Sequence, residues 1–133
     1  MKLFFRLFSI VMILTLLMAV PGRSFAQSGT IVRVQPETTV VDPGDGFTVT
    51  VLVENVQDLY AFDITVTYDP AILSADQIQL GAFLEPGIVI KDETVNETGY
   101  VRYAMTQVSP ALPKSGSGAL ITIAFTALSG GQR

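Results

Sequence analysis

The chain has 133 residues and contains neither cysteine nor histidine. That leaves room for one domain and excludes, by absence, Ser-His-Asp triads, Cys-His pairs, haem attachment and ordinary zinc sites. The formal net charge is −4, but the residues after Ala26 hold five basic side chains against twelve acidic ones, a net charge of −7; with no cluster of Lys or Arg, nucleic acid and anionic membrane are poor partners.

At the N-terminus, Lys2 and Arg6 flank an apolar stretch from Leu7 to Val20, Pro21-Gly22 breaks it, and Ser24-Phe25-Ala26 places small residues where a signal peptidase reads. The stretch is shorter than the roughly 20 residues that span a bilayer. Residues 1–26 are therefore expected to be a signal peptide cleaved between Ala26 and Gln27. The mature chain would then be secreted or displayed at the cell surface, with no membrane association after cleavage. Without disulfides, its stability must come from apolar burial.

Downstream, apolar residues recur with period two, the pattern of strands with one buried face. Thr30 to Gln35 and Thr38 to Val41 are short candidates, and Asp42-Pro43-Gly44-Asp45-Gly46 is a turn. Phe47, Val49, Val51 and Val53 then point inward, with threonines and Glu54 outward. From Tyr60 to Tyr68 the inward set is Tyr60, Phe62, Ile64, Val66 and Tyr68, leaving Ala61, Asp63, Thr65 and Thr67 to solvent, until Asp69-Pro70 stops the strand. Gln77 to Leu80 and Val89 to Thr94 are further short candidates. Gly99 to Thr106 sets Val101, Tyr103 and Met105 against Arg102, Ala104 and Thr106, and Pro110 to Gly118 reads as a turn-rich loop. The last strand, Ala119 to Leu128, alternates Ile121, Ile123, Phe125 and Ala127 with Thr122, Ala124 and Thr126. Eight or so such strands make an all-β, two-sheet antiparallel sandwich or jelly roll.

Two carboxylates suffice for glycoside hydrolysis, but a sandwich of this size with short loops rarely encloses a sugar ring, so an enzyme is not expected. Asp42, Asp45, Asp92 and Glu93 follow no EF-hand spacing, and turn chemistry explains the first two; no metal site and no cofactor are expected. Asn96-Glu97-Thr98 fits a glycosylation sequon but reads as a polar loop. There is no tryptophan, and Tyr100 is the one aromatic ring expected on an exposed face, a weak basis for stacking sugars.

Several blocks in order, Val34-x-Pro36, Val41-x-Pro43-Gly44-x-x-Phe47-Thr48-Val49, Leu59-Tyr60-Ala61-Phe62-Asp63 and Tyr68-Asp69-Pro70-Ala71-x-Leu73, resemble the cohesin family. The likeness continues through Gly81-x-Phe83-Leu84, Gly99-Tyr100-Val101-x-Tyr103-Ala104 and Gly116-x-Gly118-x-Leu120-x-x-Ile123-x-Phe125, so that it covers residues 30–128. It implies a nine-stranded jelly-roll sandwich that binds, through one exposed sheet face, a dockerin-type partner that carries its own calcium. In the family, an Asp at the position of Asp63 accepts hydrogen bonds from that partner. The same face is expected to carry Thr65, Thr67, Arg102, Ala104, Thr106, Thr122, Ala124 and Thr126. Ala61 departs from the Asn common beside the key Asp. The family pattern also has a final strand beyond this sequence, paired with the first, so Thr30 to Gln35 is expected to be an open edge and stability marginal. Direct carbohydrate binding, or a purely structural surface module, are the alternative functions on this scaffold.

Overall fold

The computed structural model of the protein describes residues 29–128; the expected signal peptide and its Ala26/Gln27 cleavage position lie outside them. Seven strands follow one another: β1 (Ile31–Gln35), β2 (Gly46–Leu59), β3 (Ala61–Thr67), β4 (Leu73–Leu80), β5 (Ile88–Val95), β6 (Tyr100–Thr106) and β7 (Lys114–Ala127), with one 3₁₀ turn at Ala82–Leu84. They form two antiparallel sheets, one of order β1-β2-β7-β4 and one of order β3-β6-β5. The all-β sandwich expected from the period-two pattern is the fold observed.

The core lies where the alternation placed it. Val51, Ile121, Ile123 and Phe125 from the larger sheet meet Val101, Tyr103 and Met105 from the smaller, all nearly inaccessible to solvent. Each such side chain stabilises the fold by roughly 1.5–3 kcal/mol through burial. Phe125 anchors one end, with Phe47 stacked on it at 5.7 Å and Tyr68 set edge-on at 5.1 Å between ring centroids.

Three expectations need correction. Thr38 to Val41 is not a strand: the segment lies between Pro36 and Pro43, pairs with nothing, and leaves Val40 94% exposed. β7 begins at Lys114, inside the expected loop, and β2 runs on to Leu59. These extensions pair through bulges, with Asn55 and Asp58 at positive φ and their amides donating to the hydroxyls of Ser117 and Ser115 at 3.1 and 3.0 Å. Seven strands, not eight or nine, are present among the described residues.

β1 is an edge. Val32 and Val34 stand opposite Val53 and Val51 and so point to the inner side of the sheet, yet they are 59% and 39% exposed. The cause is a mismatch in width: Phe62 and Ile64 of β3 pack beneath Val53 and Val56 of β2, and among the described residues no strand of the smaller sheet lies beneath β1. On the outer side, Arg33 and Glu54, opposite neighbours on Leu52 and Ile31, are linked by an ion pair.

Asn96 ties the two sheets together at one end. Its Oδ1 accepts from the Ala75 amide at 2.8 Å and from the Tyr68 hydroxyl, while its Nδ2 donates to the Ala75 carbonyl at 3.1 Å. The carboxamide of the expected polar loop is thus committed to a structural clamp between the β5–β6 turn and β4.

Candidate partner-binding face

The outer face of β3-β6-β5 is a shallow grid whose rows are set by the ladder register. Ala61, Thr106 and Ile88 form the first row, Asp63, Ala104 and Lys91 the second, Thr65, Arg102 and Glu93 the third, and Thr67, Tyr100 and Val95 the fourth. Opposed residues of antiparallel strands share a face, and on β3 all four outward residues are exposed while Phe62, Ile64 and Val66 are half-buried. Ala104 is nearly closed off because the paired residues Asp63 and Lys91 flank it on both sides, which leaves a flat floor in the middle of the grid.

Two charge pairs dominate this face. Arg102 reaches diagonally to Asp63 with two parallel hydrogen bonds, Nε to Oδ1 at 3.0 Å and an Nη to Oδ2 at 2.6 Å, the bidentate geometry a planar guanidinium favours. Lys91 pairs with Glu93 two residues on, at 3.1 Å. The hydrogen bonds from Arg102 hold the Asp63 carboxyl below its ordinary range, and the same contact raises the Arg102 guanidinium. Asp63 is therefore anionic at any physiological pH, with the lone pairs that Arg102 leaves free open to further donors.

The residues expected on one face divide between two. Asp63, Thr65, Thr67, Arg102, Ala104 and Thr106 come together as expected. Thr122, Ala124 and Thr126 do not: β7 hydrogen-bonds between β2 and β4, so its outward residues lie on the far side of the sandwich. There Thr122 meets Thr50 hydroxyl to hydroxyl at 3.2 Å, and Thr126 donates to Asp76 at 2.7 Å.

Sequence reasoning missed the contribution of β5. A bulge between Val89 and Lys91 reverses the facing of the strand, so Val89 pairs inward with Met105 while Lys91 faces outward beside Ala104. Alternation alone cannot reveal such an inserted residue. Tyr100 does lie on this face, half-buried between Thr67 and Val95.

Asp42 to Gly46 forms a turn: the Asp45 amide donates to the Asp42 carbonyl at 3.0 Å, and Gly44 takes the positive φ of 94° that the turn requires. Among the described residues, no group of three or more His, Cys, Asp or Glu side chains is disposed to hold a metal ion.

Comparison with known proteins places this geometry. The model of the cohesin domain matches residues 32–133. No curated protein matches the chain. Among solved structures, a chain of a type II Cohesin-X-Dockerin complex from Acetivibrio cellulolyticus superposes with a TM-score of 0.64 at 14% identity, over 76% of this chain and 72% of that one. A chain of a type I Cohesin-Dockerin complex from Clostridium thermocellum gives 0.60 at 16% identity, over 77% and 75%. A non-cellulosomal cohesin from the archaeon Archaeoglobus fulgidus gives 0.54 at 16%, over 65% and 57%. At these identities the superpositions speak for the fold, and the domain match, which spans most of the sequence, speaks for descent: the chain belongs to the cohesin family.

Proposed function

We propose that the protein is a non-catalytic, exported protein-binding module that takes a dockerin-type partner on the outer face of β3-β6-β5, the calcium being carried by the partner. The observation that carries this reading is Asp63, held ionised by Arg102 beside the flat Ala104 floor on an exposed sheet face. An anionic acceptor beside small and hydroxyl-bearing residues suits an approaching helix, whose side-chain and backbone donors need both close access and a fixed acceptor. The dockerin complexes among the structural neighbours support the same partner class. The signal-peptide pattern of residues 1–26 supports a secreted or cell-surface setting, within a polysaccharide-degrading or surface assembly.

The test is calorimetric titration of the protein with a panel of calcium-loaded type I and type II dockerins, with cellulose and xylan oligosaccharides as controls. Saturable binding of a dockerin is the expected result. Heat only from the oligosaccharides, or from none of the ligands, contradicts the reading.

A further inference from the structure

The charges of the plateau are already matched, and the matching limits what can dock on Asp63. Arg102 covers one edge of the carboxylate with a hydrogen bond to each oxygen. A carboxylate offers about four acceptor sites, so each Asp63 oxygen keeps a free one, and the side chain is 50% exposed.

The neighbours of those free sites are set by the ladder. Asp63 ends the row Asp63-Ala104-Lys91, and Arg102 lies in the middle of the next row with Glu93 opposite it. Lys91 pairs with Glu93 at 3.1 Å. Asp63 is therefore flanked by Arg102 on the diagonal and by Lys91 across Ala104, and the four rows hold no third acid. A hydroxyl, carboxamide or backbone N–H takes a free lone pair of Asp63 without disturbing this balance. A third cation does disturb it. An ammonium or guanidinium seated on Asp63 lies beside Arg102 and about 10 Å from Lys91, two strand spacings away. It finds the Asp63 charge already matched, and once the partner excludes water the repulsion between like charges is poorly screened.

We propose that Arg102 determines the specificity of this face: by staying paired with Asp63 in the complex, it restricts the group that docks on Asp63 to a neutral donor and turns away partners that present Lys or Arg there. This rests on the reading of the plateau as the dockerin-binding face. Arg102 acts through Asp63, as a positioning residue. Discrimination of this kind comes from a repulsive group rather than from added attraction, and an exposed pair contributes weakly to the stability of the unbound protein.

The experiment is calorimetric titration of wild-type protein and Arg102→Met with the tightest-binding calcium-loaded dockerin of the panel and with versions of it that carry single Lys replacements of surface Ser and Thr residues outside its calcium loops. Arg102→Met alters an exposed side chain and keeps the fold, which thermal melts verify. The Lys version whose ammonium meets Asp63 is expected to bind wild-type protein about tenfold or more weaker than the parent dockerin does, and to bind Arg102→Met about tenfold or more tighter than it binds wild-type protein. The parent dockerin gains nothing from the substitution. That inversion of preference is not produced by a general loss of structure. Lys versions that are each weakened by the same factor in both proteins, within about twofold, overturn this proposal and leave the plateau reading intact. Absence of dockerin binding by the wild-type protein overturns both.

Discussion

Two parallel hydrogen bonds from Arg102 fix the Asp63 carboxylate in one orientation on an otherwise solvated strand face. Because the folded-state pKa of Asp63 lies below its unfolded value, whatever the pair contributes to stability is present above the unfolded pKa and is lost as pH falls through the folded one. A carbon-13 titration of the Asp63 carboxyl should show a midpoint below 3.8 that moves back up in Arg102→Met; a midpoint unchanged by that substitution would mean that the pair is not formed in solution. Asn96 works by a different principle, since its single carboxamide satisfies both backbone polar groups of Ala75 and the Tyr68 hydroxyl. Asn96→Ala strands those groups where the two sheets meet and is expected to cost about 1–3 kcal/mol, read as a lower urea midpoint; an unchanged midpoint would contradict the clamp.

The strands differ in how firmly they are held. β7 is flanked by β2 and β4 and buries Ile121, Ile123 and Phe125, whereas among the described residues β1 has one neighbour and overhangs the smaller sheet. Hydrogen exchange is expected to be fast at the β1 amides and limited by global unfolding at Ile121 and Ile123; equal protection of the two strands would contradict the overhang. Where strand alternation is unbroken, as at Phe62-Asp63-Ile64-Thr65-Val66 or Ile121-Thr122-Ile123, the facing of every residue was legible in the sequence. It failed at the bulges, because an inserted residue at Ile90 or Asn55 changes the phase without changing the composition. Strand neighbours were illegible for a related reason. Alternation says that Thr122 points away from the core but not which of two outer faces it joins, and that depends on β7 pairing with β2 and β4.

At the scale of the whole molecule, the sandwich presents two outer faces of different character. The β3-β6-β5 face is charge-balanced, small-residue in the middle and apolar at one end, while the face around β7 is occupied by hydroxyl and carboxylate contacts within its own sheet. The order of the family blocks was enough to identify the family and the fold. The Arg102 pairing and the role of β5 required the three-dimensional register. Calorimetric titration of a calcium-loaded dockerin into wild-type protein, Asp63→Ala and Thr122→Ala tests most directly whether the partner docks on this face. The prediction is a loss of about tenfold or more in affinity for Asp63→Ala and a change within about twofold for Thr122→Ala; tight binding by Asp63→Ala together with weakened binding by Thr122→Ala would place the partner on the opposite sheet.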